Sequence, residues 1–324
     1  MIIPHKINRK LLLKRLFRQI DDASNNQKNK VLVITDYPDF YEDVDINIVS
    51  AYDINEEFLN ANKKTQFIYA VENNSVGLPI IRDIIRLGIS FYAALSSDVG
   101  GYVYDNKIVR DIIEEEYALQ GPEGFSKFGD PGTLQDYVNL CQAIESTKNI
   151  EGDIVEIGVY RGSSSSVILK YLERANIQKP VWLFDTFEGF FYQEAQDSID
   201  KIWKSTHETE GYDIISKRLR DRAPGRHNLT IDKLNIISND LPLEIKKIAM
   251  CNIDVDMFEA VESALNKVAP LMAIGGIMIC EDAGHTPALI GARLALDNFL
   301  ISEQGTKFTS VHTESGQAFL IKHS

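Results

Sequence analysis

Residues 152–162 read GDIVEIGVYRG, and a run of four serines, Ser163–Ser166, follows. Asp153 to Ile157 is a short apolar run with one acid near its end, the pattern of a strand buried in a parallel sheet. Gly158 and Gly162 then mark a turn, and an apolar-periodic helix opens through Val167 to Leu172. Strand, glycine turn and helix start make a nucleotide-type site. Glycine lets a ligand approach the backbone, and the first turn of a helix presents N–H groups with no partner of their own. The G-x-G-x-x-G spacing that cradles a pyrophosphate is absent, and the strand carries Glu156. An E-x-G-x-x-x-G turn suits a ligand with an amino-acid end and no phosphate, which is the shape of S-adenosylmethionine. The contacts expected at this turn are Glu156, Gly158, Tyr160, Arg161, Ser163 and Ser164.

The chain beyond the turn keeps a β/α rhythm. Val181 to Phe184 (VWLF) reads as the next strand, with Asp185 at its carboxyl end and Thr186 after it. An acid there can take both ribose hydroxyls of a nucleoside. Phe191 to Asn228 is long, polar and partly helical, like a lid inserted beside a cleft, and Leu234 to Ile237 reads as a third strand. Ile248 to Asp256 (IAMCNIDVD) is an apolar strand running into Asp254 and Asp256. Glu259 to Val268 is helical, Gly275-Gly276 punctuates, and Ile277 to Cys280 is a buried strand that ends in Glu281 and Asp282. In open α/β sheets ligands sit beyond the carboxyl ends of strands, so two strands delivering carboxylates to one edge build an oxygen-rich site suited to Mg²⁺. His285 follows this acidic pair and is the first candidate for a general base, with Asp254 the second. Gly291 to Leu300 reads as a helix, and Phe308 to Val311 with Ala318 to Ile321 as a final antiparallel hairpin.

The chain has 324 residues, room for two domains, with 34 basic and 47 acidic residues and a formal net charge of −13. That charge argues against a nucleic-acid backbone or an anionic membrane as the main partner. Cys141, Cys251 and Cys280 are far apart with no C-x-x-C, and read as buried thiols. No apolar run is long enough to span a membrane, and the basic opening segment lacks the features of a signal peptide, so cytoplasm is the expected compartment. Lys10 to Ile20 carries a helical apolar stripe. Val31–Thr35, Ile46–Ser50, Phe67–Val71 and Ile89–Ala93 read as strands, with a helix from Pro79 to Leu87 stopped at Gly88. Residues 97–111 read as a join and 121–132, rich in glycine and proline, as a loop, while Thr133 to Ser146 reads as a helix leading into the central strand.

Two resemblances follow from these stretches. Phe67 to Leu95 (FIYAVENNSVGLPIIRDIIRLGISFYAAL) resembles the small Rossmann-like N-terminal domain of sugar N-acetyltransferases and related surface-polysaccharide enzymes. The glycine-rich turn of those domains is replaced here by Thr35-Asp36-Tyr37-Pro38-Asp39, so no nucleotide is expected in this unit. Glu156-Ile-Gly-Val-Tyr-Arg-Gly-Ser-Ser, Asp185-Thr-Phe-Glu-Gly-Phe, Asp254-Val-Asp-Met-Phe-Glu-Ala and the strand after Gly275-Gly276 resemble, in order, the signatures of the macrocin and mycinamicin (TylF-type) sugar O-methyltransferases. The likeness covers about Thr133 to Lys322. It implies S-adenosylmethionine-dependent methyl transfer to a sugar, nucleotide-sugar or glycan hydroxyl, assisted by Mg²⁺ held on Asp254, Glu281 and Asp282. Two positions depart from the family pattern. Glu281-Asp282-Ala283 stands where it has Asp-Asp-Tyr, and Phe258 stands where it has a hydroxylated aromatic.

The expected chain is therefore α/β. Residues 1–115 form a small Rossmann-like domain, and residues 116–324 a class I methyltransferase domain, a doubly wound sheet closed by a C-terminal antiparallel hairpin. A homo-oligomer is compatible with this reading. The competing readings are a catechol-like small-molecule O-methyltransferase and a polysaccharide-assembly scaffold with a vestigial cofactor site.

Overall fold

The computed structural model describes residues 31–41, 47–71, 74–93, 106–113, 115–116, 132–225, 228–284, 290–313 and 315–324. The amphipathic stripe of Lys10 to Ile20, the loop at 121–131 and His285 lie outside these residues. The chain divides into two compact units, 1–110 and 111–324. The boundary falls before Glu115 and Glu116 because their carboxylates are tied to the second unit: Glu116 takes Lys170 Nζ at 3.0 Å and Ser166 Oγ at 2.7 Å, and Glu115 takes Arg174 Nη2 at 2.6 Å.

In the first unit, β1 (Val31–Thr35), β2 (Asn47–Ser50), β3 (Gln66–Ala70) and β4 (Phe91–Ala93) form an all-parallel sheet of order β2-β1-β3-β4. Helix α1 (Glu56–Ala61) starts where the Asn55 side chain accepts the Phe58 N–H at 2.8 Å. Helix α2 (Asn74–Arg86) begins ahead of Pro79 rather than at it. It ends as expected at Gly88, whose φ of 68° lets Ile89 donate back to the Ile84 carbonyl at 3.0 Å. Leu32, Ile34, Phe67, Tyr69 and Ile84 make the core.

The second unit is built on a seven-stranded sheet. Its strands are β5 (Asp153–Ile157), β6 (Val181–Asp185), β7 (Leu229–Lys233), β8 (Ile248–Ile253), β9 (Met272–Cys280), β10 (Phe308–His312) and β11 (Ala318–Lys322). The order is β10-β11-β9-β8-β5-β6-β7, and β11 is the one strand that runs opposite to the other six. The third strand is Leu229–Lys233, one segment earlier than Leu234 to Ile237. The alternation Leu229, Ile231 buries one face of an edge strand, whereas Leu234 and Ile236 belong to the loop beyond it. Gly275-Gly276 does not precede β9 but lies inside it. Gly275 sits at φ 80°, and the register against β8 shifts between Ile248 and Met250, a bulge that only glycine accommodates there. The described helices of this unit include α3 (Gly132–Thr147), α4 (Ser163–Arg174), α5 (Gln193–Asp197), α6 (Tyr212–Arg222), α7 (Phe258–Val268) and α8 (Ile290–Leu300). All six residues of β8 are buried, as in a parallel strand covered on both faces. Helix α4 ends in a left-handed Asn176 (φ 54°), with Ile177 donating to Leu172 at 2.8 Å and Asn176 to Glu173 at 3.1 Å. That reversal turns the chain back into β6.

One carboxylate fastens the segment after β6 to two helices. Asp200, 2% exposed, accepts the Phe258 N–H at the start of α7 (3.0 Å) and the Gly291 N–H at the start of α8 (3.1 Å). Both are donors with no partner inside their helix, and a negative charge suits both helix dipoles. Asp200→Ala should lower the unfolding free energy by about 2–4 kcal/mol, two charge-assisted bonds at roughly 1.5–3 each with partial compensation by water. Urea denaturation of the native and variant chains measures it; a loss under about 0.5 kcal/mol would show that the two helix starts are satisfied without it.

Candidate active site

Three strand ends meet at one point. The Gly158 N–H donates to the Phe184 carbonyl of β6 at 2.8 Å, and the Asp254 N–H after β8 donates to the Ile157 carbonyl of β5 at 2.8 Å. Gly158 takes φ 98°, and a Cβ there would stand 1.6 Å from the Asp254 carbonyl oxygen. Gly162, at φ 84°, would press a Cβ to 2.9 Å from Leu219. Both glycines of the turn are thus required by the protein's own packing.

A pocket opens at this edge. Of the residues expected at the cofactor, Gly158, Tyr160, Asp185 and Thr186 line it, together with Asp254. Glu156, Arg161, Ser163 and Ser164 do not. Glu156 is fully buried below the turn, where it accepts from Asn252 Nδ2 at 3.0 Å and from the hydroxyl of Ser165. Arg161 is exposed, with its guanidinium 5.1 Å from the centre of the Tyr160 ring. Ser163 and Ser164 are half-buried at the start of α4. Asp185 is engaged by backbone: Oδ2 accepts from Val159 (2.7 Å) and Tyr160 (2.8 Å), and Oδ1 from Phe187 (2.6 Å). It therefore shapes the turn, and each oxygen retains capacity for a further donor.

Carboxylates mark the next side of the pocket. Asp254, Asp256 and Asp282 can bring one oxygen each within 4.8 Å of one another. Asp256 stands in this trio where Glu281 was expected. It adopts a left-handed φ of 55°, and its N–H donates to Asp282 Oδ2 at 3.1 Å. Glu281 is half-buried and hydrogen-bonded to Asp282. Burial pushes the Asp254 carboxyl well above the ordinary range, and the charges of Asp282 and Asp256 push it the same way. Glu281 is raised for the same reasons, burial first and then Asp254 and Asp282. An all-oxygen set of this kind fits a hard divalent cation such as Mg²⁺.

The segment after β6 supplies the fourth side: Gly189 and Phe190, which end the Asp185–Phe190 motif, with Tyr192, His207 and Thr209, which sequence reading did not single out. Leu234, Asn235 and Ile236 complete the far end. The expected lid, Phe191 to Asn228, thus gives the wall Tyr192, His207 and Thr209.

A mostly parallel seven-stranded sheet with one reversed strand next to its edge, and a pocket over the carboxyl ends of β5, β6 and β8, define a class I methyltransferase fold. Residues 132–306 match the Macrocin-O-methyltransferase (TylF) family, and the chain belongs to that family. It is similar to 8-demethyl-8-(2,3-dimethoxy-alpha-L-rhamnosyl)-tetracenomycin-C 4'-O-methyltransferase of Streptomyces olivaceus, 26% identical over 155 residues, 45% of this chain and 59% of that protein. It is similar also to demethyldecarbamoylnovobiocin O-methyltransferase of Streptomyces niveus, 23% identical over 152 residues, 44% of this chain and 58% of that protein. Each match thus spans less than two thirds of the relative's length. The O-methyltransferase NovP shares the fold, with a TM-score of 0.53 and 17% identity over 59% of this chain and 81% of NovP. Among the described residues no helix is long and apolar enough to cross a membrane.

Burial pushes the Glu156 carboxyl up to about 7, against hydrogen bonds from Ser165, Asn252 and Ser164 that pull it down. The folded chain therefore keeps a proton that the unfolded chain releases near pH 4.5, and stability is lost as the pH rises from there to about 7. Glu156→Gln has nothing to ionise. Its stability relative to the native chain should improve by on the order of 3 kcal/mol between those two pH values. Denaturant titrations at both pH values read this, and an unchanged difference would mean that Glu156 is ionised in the folded chain throughout.

Proposed function

We infer that residues 111–324 transfer the methyl group of S-adenosylmethionine to a hydroxyl of a sugar-bearing acceptor. The observation that carries this reading is the meeting, in one pocket, of the Gly158 turn and the Asp254 and Asp256 carboxylates, with Asp282 grouped beside them. Membership of the family supports it, as does the rhamnosyl group named for the Streptomyces olivaceus relative. The acceptor class proposed is a glycoside, nucleotide-sugar or glycan.

The roles proposed follow from position. Gly158 and Tyr160 bound the space for the amino-acid end of the cofactor. Asp185, held by three backbone N–H groups, presents its remaining acceptor capacity to the ribose, with Thr186 beside it. Leu234 and Ile236 offer apolar surface for a planar base. Asp254, Asp256 and Asp282 would hold Mg²⁺, and Glu281 is hydrogen-bonded to Asp282. A bound divalent cation supplies a Lewis acid that lowers the pKa of an alcohol. The proton acceptor is assigned to this same acidic edge, where Asp254 lies in the pocket wall and His285 follows Asp282 by three residues. Bringing the acceptor oxygen in line with the methyl is the larger part of the work, because orientation removes most of the entropic barrier.

Incubating the chain with S-adenosylmethionine, Mg²⁺ and a panel of glycosides and nucleotide sugars should give a product heavier by one CH₂; a panel of catechols should not. Asp254→Asn should reduce kcat/KM by about 100-fold or more, the scale of losing a charge-stabilising group, while calorimetric affinity for the cofactor changes by less than a factor of about three. Equal loss of binding and turnover would place Asp254 in the cofactor site. Full turnover in excess chelator would remove the cation from the reaction.

A further inference from the structure

The pocket wall contributed by the segment after β6 is aromatic and rigidly built. The Phe190 N–H donates to the Thr206 carbonyl at 3.0 Å, and the Ser205 N–H donates to the Phe190 carbonyl at 2.9 Å. Thr206 Oγ1 and His207 Nδ1 are hydrogen-bonded at 2.8 Å. Gly189 sits at φ 69° so tightly that a Cβ would lie 2.5 Å from the Thr206 carbonyl oxygen. The two limbs of the segment are thereby locked together, with the Phe190 ring 4.6 Å from that of His207 and 6.3 Å from that of Tyr192, centre to centre. Phe190 is also packed against Met257, and the Tyr192 hydroxyl reaches the Met257 sulfur at 3.6 Å.

The charges around the pocket are one-sided. Asp185, Asp254 and Asp256 line it, and no lysine or arginine does among the described residues. With the Asp254, Asp256 and Asp282 carboxylates committed to a divalent cation and Asp185 to backbone and ribose, the rings are the electron-rich surface left for a second positive charge. S-adenosylmethionine carries such a charge on sulfur. In the transfer the carbon–sulfur bond breaks with its electron pair remaining on sulfur, the acceptor oxygen gains the methyl and loses its proton, and the sulfonium becomes a neutral thioether. A ring face attracts a sulfonium and is close to indifferent to a thioether.

We propose that Phe190, Tyr192 and His207 form an aromatic wall that recognises the sulfonium of S-adenosylmethionine and gives up its attraction once the methyl has left, so that the product S-adenosylhomocysteine is bound more weakly. The proposal rests on the methyl-transfer reading above, and adds to it which residues tell charged cofactor from neutral product.

Isothermal titration of the full chain with each ligand separately tests it. The native chain should bind S-adenosylmethionine more tightly than S-adenosylhomocysteine. Phe190→Leu and Tyr192→Leu, which keep apolar bulk and remove a ring, should each weaken S-adenosylmethionine by roughly 2- to 30-fold while leaving S-adenosylhomocysteine within about twofold. Tyr192→Phe keeps the ring and should preserve the native ratio. Phe190 is nearly buried, so if its variant does not fold, half-buried Tyr192 carries the comparison. Equal weakening of both ligands, or none, would reduce the wall to apolar lining and overturn the proposal with the methyl-transfer reading intact. A native chain that binds neither ligand would overturn both.

Discussion

At the carboxyl edge of the sheet the chain has no room for a side chain at position 158. The carbonyl of Asp254 stands where a Cβ would be, and two backbone hydrogen bonds tie the ends of β5, β6 and β8 together around that point. The direction of the turn, the place of Asp254 and the start of α4 all follow from this close approach. Asp185 completes it. By accepting from Val159, Tyr160 and Phe187, one carboxylate holds the turn after β5 and the turn after β6 in a common frame. A charged acceptor holding three amides is a stiff fixture, because those bonds are stronger than neutral ones and each amide would otherwise need water.

On this frame the pocket acquires opposite kinds of wall. Strands β8 and β9 bring Asp254, Asp256 and Asp282 together against their mutual repulsion, and burial together with the neighbouring carboxylates raises Asp254 and Glu281. The segment after β6 brings aromatic rings instead, and Asp200 anchors it by capping α7 and α8. The anchor matters to the site because α7 starts next to Met257, which packs on Phe190. Loosening it would free the aromatic wall without touching a ligand.

The family likeness and the departures from it meet at the acidic edge. Glu281 has one methylene more than the aspartate it replaces, and it turns to Asp282 while Asp256 joins the trio. Asp256 reaches that position through a left-handed backbone, an uncommon conformation for a residue with a side chain, maintained by the bond from its N–H to Asp282. The trio is still made of hard oxygen donors, the kind that suits a divalent cation.

The sequence by itself determined the architecture of the second unit. Short apolar runs with an acid near, at or just beyond the carboxyl end, Asp153–Ile157, Val181–Asp185 and Ile248–Ile253, are legible as buried parallel strands, because a strand covered on both faces must be largely apolar. It also disclosed the acids and the family, since both are written in contiguous segments. Only the tertiary structure decided which acids converge, that Glu156 lies beneath the turn rather than in the pocket, and that Phe190, Tyr192 and His207 form a wall. It also showed that Gly275-Gly276 bulges a strand instead of ending a loop. Those outcomes depend on distances between segments far apart in the chain, such as Gly158 against Asp254 or Gly189 against Thr206. No local periodicity encodes them; the close packing of strand ends and loops does.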